Sequence, residues 1–103
     1  MAYKLNITEY ADELLDHHIY HLIDRLNNKQ AARHLLDGIN NIYERLEFNP
    51  YQFLECKDEY LAKKGYREAI VPQMNYIIIF DVTADVVNVI GIFHQLENYQ
   101  SKL

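Results

Sequence analysis

Apolar and polar residues alternate with a period of two at the start of the chain. Tyr3, Leu5 and Ile7 interleave with Lys4, Asn6 and Thr8, which predicts a short half-buried strand. Thr8 is then placed to cap a helix, with Glu9 and Asp12 near the positive end of its dipole. From Glu9 to Leu26 the period lengthens. Ala11, Leu14, Leu15, Ile19, Leu22, Ile23 and Leu26 recur every three or four positions and predict an amphipathic helix. Asn27 and Asn28 punctuate it. A second stripe follows in Ala32, Leu35, Leu36, Ile39, Ile42, Tyr43 and Leu46, and the helix should stop near Phe48 because Pro50 forces Asn49 into an extended conformation. So short a joint predicts an antiparallel helical hairpin.

The segment from Asn49 to Lys64 is irregular, with a helical turn expected over Asp58–Lys64 and a stop at Gly65. Beyond it the chain turns β-rich: Tyr66–Val71, Tyr76–Val82 and Val86–Phe93 read as strands, the last two apolar on both faces as central strands are. Thr83, Ala84 and Asp85 should close a hairpin between them. The predicted class is α+β, in the order β-α-α-β-β-β. The helical hairpin packs on one face of a mostly antiparallel four-stranded sheet, and the other face is expected to stay open as a sparsely cationic pocket. Residues 1–103 read as a single domain.

Composition narrows the functional classes. Ten Lys and Arg against fifteen Asp and Glu leave a net charge of −5 over 103 residues. Nucleic-acid binding needs clustered cations, so this balance argues against a dedicated binder of that kind. One cysteine, Cys56, excludes a disulfide framework and a cysteine-based zinc site, and it reads as a packed residue. The opening residues lack a basic segment followed by an apolar one, and the apolar stretch from Ala69 to Phe93 is broken by Pro72, Asp81 and Asp85. A cytoplasmic protein with no membrane partner is the expectation. No Gly-rich phosphate loop and no serine elbow are present, and neither a cofactor nor a metal is expected.

Three groups of residues could carry chemistry. Glu13, His17, His21 and Asp24 share one helix face, and His residues at i and i+4 can hold a metal, but no third ligand accompanies them, so a solvated face is expected. His18 and His34 adjoin the apolar stripes and read as packed or boundary residues. Lys57, Lys63, Lys64 and Arg67 form the local basic cluster of an acidic chain, suited to an anion. His94, at the end of the last strand, has the chemistry of a general acid or base.

Across almost its whole length the sequence resembles the RelE/ParE toxins of bacterial type II toxin–antitoxin modules, the plasmid-stabilisation systems. The resemblance rests on Tyr10-Ala11-Asp12 after the first strand and on the joint Leu26-Asn27-Asn28-Lys29-Gln30-Ala31-Ala32. It continues through Asn49-Pro50-Tyr51, through Asp58-Glu59-Tyr60-Leu61 followed by Gly65-Tyr66-Arg67, through Asn75-Tyr76 followed by Phe80, and through the closing run Val89–His94. It implies the same β-α-α-β-β-β fold and a small cytoplasmic toxin that inhibits growth. A cognate antitoxin would wrap it with an extended or helical segment, as part of a homodimer or a toxin–antitoxin hetero-oligomer. Some relatives are metal-independent ribonucleases that cut messenger RNA in the ribosome; ParE-type relatives poison DNA gyrase.

Position by position, Arg67 falls where the family has its second-strand cation and His94 where relatives carry Tyr, His or a basic residue, so these two are the implied catalytic pair. Lys57, Lys63, Lys64, Tyr66, Gln95 and Tyr99 are the implied contacts to target or phosphate. The chain departs from the ribonuclease pattern elsewhere. Leu96, Glu97 and Asn98 stand where many relatives place two Arg and an Asp, and Ile77 stands where ribonucleases carry an Arg after the Tyr. Removing cations removes stabilisation of a pentacoordinate phosphate. A ParE-like toxin that acts by binding is therefore expected, with a RelE-type ribosome-dependent endoribonuclease and a decayed toxin kept only for binding as its rivals.

Overall fold

A computed structural model describes residues 2–103. The chain runs through strand β1 (Lys4–Ile7), helix α1 (Glu9–Tyr20), a five-residue π-helical turn (His21–Arg25), helix α2 (Lys29–Phe48), a 3-10 turn (Pro50–Gln52), short helix α3 (Glu59–Lys63), strands β2 (Arg67–Ile70), β3 (Tyr76–Thr83) and β4 (Val86–His94), and a last 3-10 turn (Tyr99–Lys102). The sheet order is β1-β4-β3-β2. β2–β3 and β3–β4 pair antiparallel, as expected, whereas β1 joins β4 in parallel, which makes the sheet mixed.

Local chemistry sets each boundary. The Thr8 hydroxyl accepts from Ala11 N–H at 3.1 Å, Asn28 from Ala31 N–H at 3.0 Å, and Asp58 from Leu61 N–H at 3.0 Å, so all three helices start on a side-chain cap. Gly65, at φ +84°, ends the α3 turn in a conformation that favours glycine. The predicted first helix is shorter than its apolar stripe: past Tyr20 the backbone widens to i→i+5 bonding, with Leu26 N–H donating to His21 O at 3.1 Å. The phase shift leaves Ile23 and Leu26 on the surface.

The main core lies between the helices and one sheet face. α2 contributes Ala32, Leu35, Ile39, Ile42 and Leu46, and the sheet contributes Ala69, Ile78, Phe80, Val87, Val89 and Ile92. Gly38 lets α2 come close to the end of β2, since a Cβ there would lie 2.6 Å from a methyl of Val71. The opposite face is not the open pocket that the sequence suggests. Ile77, Ile79 and Phe93 are buried there with Cys56 and Leu61, and Tyr66, Tyr99 and Leu103 pack on them.

One irregularity decides where the last strand points. The hairpin register runs Thr83↔Val86 to Phe80↔Val89, then resumes at Ile79↔Gly91, so Ile90 is an extra residue in β4. A regular hairpin would pair Tyr76 with Phe93. The bulge pairs Tyr76 with His94 instead and turns His94 to the α1 side of the sheet.

Candidate functional site

β1 is too short to cover the edge of β4. It pairs with Val86–Val89 and stops at Ile7, and α1 then runs along the remainder of that edge. Thr8 starts the handover, its hydroxyl donating to Val89 O at 2.8 Å. His18, nearly three turns on, completes it: its Nε2 lies 2.8 Å from Ile92 O, and since a carbonyl only accepts, Nε2 carries the proton. His18 is 9 % exposed and is the one buried polar residue among those described. Burial holds its pKa below the ordinary value of 6.5, against the pull of the Ile92 carbonyl and of Glu97, so the ring is neutral at pH 7.

Around that contact opens a cleft of about 420 Å³ lined by His17, His18, His21, Tyr76, His94, Leu96 and Glu97. Four of the chain's five histidines thus meet in one place. Their rings form a ladder: His17 to His18 at 6.2 Å, His18 to Tyr76 at 5.0 Å, and Tyr76 to His94 at 5.2 Å, each edge to face. His94 is held by its own turn. Its backbone N–H donates to the Glu97 carboxylate at 2.8 Å, and its Nδ1 accepts from Leu96 N–H at 3.2 Å. Burial works to raise the Glu97 pKa. The hydrogen bonds from Lys102 and from the His94 backbone outweigh it and hold the carboxyl below its usual value. Lys102 closes this arrangement with a 2.6 Å ion pair. Among the described residues no three His, Cys, Asp or Glu side chains, those of the cleft included, lie where they could hold one metal ion together.

The second member of the implied catalytic pair lies elsewhere. Arg67 opens β2 opposite Phe80, whereas His94 lies opposite Tyr76. Four residues of β3 separate those positions, about 13 Å at the usual rise, and β4 and β2 are two strand spacings apart, about 10 Å more in the perpendicular direction. The Arg67 guanidinium is also engaged: it donates to Phe53 O at 2.8 Å and lies 5.0 Å from the Tyr51 ring centroid. Arg45 stacks in the same way on Phe53 at 4.7 Å, so this end of the molecule carries two cations on aromatic faces. The structure does not bring Arg67 and His94 into one site.

The implied contact residues are likewise dispersed. Lys57 lines a cleft of about 350 Å³ with Arg45, Leu54, Glu55, Glu68 and Ile70, next to Arg67. Lys63 is exposed on α3, and Lys64 lies over the Tyr60 ring at 4.5 Å with its ammonium on Leu103 O. Tyr66 and Tyr99 are half-buried on the second sheet face, Tyr99 stacked on Phe93 at 5.4 Å. Gln95 is exposed beside the histidine cleft, its N–H on Asn75 O at 2.7 Å. Cys56 is buried and its thiol is pushed up to about 12 by burial, with Glu68 and Asp58 adding to the effect, which leaves it a packed residue.

Sequence reasoning found His94 and the His17/His21 spacing separately but not their meeting with Tyr76 and Glu97. The only local signal was the histidine spacing on α1; the convergence depends on the bulge.

Comparison with known proteins agrees with this architecture. Residues 5–99 match the ParE toxin of the parDE type II toxin–antitoxin system. Among solved structures, a chain from the chromosomal ParDE toxin–antitoxin system of P. aeruginosa superimposes with a TM-score of 0.73 at 18% identity, covering 90% of this chain and 96% of that one, which is a likeness of fold. No curated protein sequence matches. The family match spans nearly the whole chain, and the protein belongs to the ParE toxin family of type II toxin–antitoxin systems.

Proposed function

We propose that the chain inhibits growth by binding a cellular protein, with DNA gyrase as the first target to test, and that a cognate antitoxin neutralises it in the cytoplasm. The observation that carries this reading is the division of chemistry between two ends of the sheet. The cleft beside His94 has no Lys or Arg in its lining. Arg67 is tied to Phe53 and Tyr51 far from it. A phosphodiester cleaved in the cleft would develop negative charge with no Lys or Arg in the lining to meet it, the nearby Lys102 being paired with Glu97.

The surface suits protein contact. Leu96 is 87% exposed at the mouth of the histidine cleft, and Leu54 and Ile70 are exposed near the β2 edge, whose first half is already bonded to Leu54–Cys56 through Glu68 N–H to Leu54 O and Cys56 N–H to Tyr66 O, both at 3.1 Å. Exposed apolar residues of this kind fit a docked partner segment. The likeness to a chain of a ParDE system supports the antitoxin as one such partner. Among the described residues no helix is long and apolar enough to cross a membrane.

Induction of the gene in cells tests the proposal. Mapping of transcript ends should show no new codon-linked cleavage when growth stops, and the purified protein should inhibit supercoiling by gyrase. Transcripts cut in a ribosome-dependent manner would replace this reading with the ribonuclease one, and undisturbed growth would favour a protein retained for binding alone.

A further inference from the structure

The histidine cleft is also the place where α1 is fastened to the sheet. We propose that it is an acid-sensitive latch: the buried imidazole of His18 holds α1 on the half of the β4 edge that β1 leaves bare, and its protonation loosens the helix and changes the shape of the cleft. The inference concerns the fold and does not depend on the identity of the target.

Geometry carries it. Beyond Val89 the β4 edge is covered by α1, and its side-chain hydrogen bonds to that edge come from Thr8 at the start of the helix and His18 near its end. A charge on His18, only 9% exposed at the floor of the cleft, would be costly unless it is paired. The groups facing it come from every neighbouring element. They are His17 of α1, His21 of the π turn, Tyr76 of β3, His94 of β4, and Glu97 after β4 with its partner Lys102. Glu97 is the only anion among them, and Lys102 already holds it at 2.6 Å. His17 and His94 both oppose a proton on His18. Histidine is the side chain that charges between pH 8 and 5, so acidification adds like charges to one small space.

The direction follows from burial. The folded chain takes up a proton at His18 less readily than the unfolded chain, whose histidine titrates near 6.5. The stability that this buried neutral ring allows is therefore complete above that pH and is lost as the pH falls below it toward the folded value, while the hydrogen bond to Ile92 O favours the charged ring and only partly offsets the loss. The π turn adds a place for the movement to be absorbed, because its backbone already departs from α geometry at His21, directly after α1.

The test compares wild type with His18→Gln at pH 7.5 and 5.5. A glutamine amide can donate to Ile92 O but does not titrate. Thermal unfolding should show a loss on acidification several degrees larger in wild type than in the variant. Amide exchange, corrected for intrinsic rates, should accelerate in α1 of the wild type on the order of tenfold at pH 5.5 and stay unchanged in β3. Equal acid losses in the two proteins, or α1 protection that does not change with pH, would overturn the latch. If His18→Gln does not fold, His94→Gln serves instead: removal of one opposing charge should reduce the acid loss, and an undiminished loss would overturn the proposal.

Discussion

The two ends of the β2–β3–β4 sheet face the same helical layer yet are built from opposite kinds of side chain. At the Arg67 end, permanent cations lie on aromatic faces, with Arg67 on Tyr51 and Arg45 on Phe53. At the His94 end, imidazole and phenol rings stack edge to face around a cleft with no Lys or Arg in its lining. A nuclease site would need both kinds at one phosphate, the cations to neutralise charge and the imidazole to move a proton. The fold keeps them two strands apart and four positions apart along β3, and that separation favours the proposal that this ParE-family chain acts by binding.

The largest effect expected at the arginine end is that of Phe80→Ala. Phe80 is fully buried opposite Arg67 and meets Phe53 at 6.0 Å, so its removal should cost about 3–5 kcal/mol of stability in denaturant unfolding. At the histidine end, His18→Ala leaves Ile92 O without its donor and should cost about 1–3 kcal/mol, most of it recovered by His18→Gln. Arg67→Ala should cost about 1–2 kcal/mol through the lost bond to Phe53 O and the lost stacking, with the imidazole resonances of His17, His18 and His94 unmoved in NMR spectra. A shift of those resonances would join the two ends again. The smallest effect is that of Tyr43→Phe. Its hydroxyl is buried without a hydrogen-bond partner, so its loss should be neutral or stabilising by up to ~1 kcal/mol, seen as an unchanged or raised melting temperature.

How far each end is legible in the sequence follows from how local its causes are. The Thr8 cap, the α2 stripe and the turn expected over Asp58–Lys64 are patterns within a few residues, and they place the starts of the helices. The basic segment from Lys57 to Arg67 is equally local, but the partners that occupy Arg67 are not: Phe53 O lies fourteen residues back, and the Tyr51 ring depends on the turn after Pro50. The histidine end depends on two features that have no sequence period. The π turn takes Ile23 and Leu26 out of the predicted apolar face. The extra residue Ile90 decides which face His94 occupies, and an unbroken alternation along β4 would have put it on the other. The parallel pairing of β1 with β4 joins positions more than eighty residues apart, and it is what leaves an edge for His18 to cover.

A double-mutant cycle across the sheet addresses the separation of the two ends most directly. Arg67→Ala, His94→Ala and the double variant would be compared by denaturant unfolding and by the protein level needed to stop growth. The account predicts additivity within about 0.5 kcal/mol in both measurements, as for sites with no shared partner. A coupling energy above about 1 kcal/mol in growth inhibition would mean that Arg67 and His94 act on one substrate, and it would contradict the account.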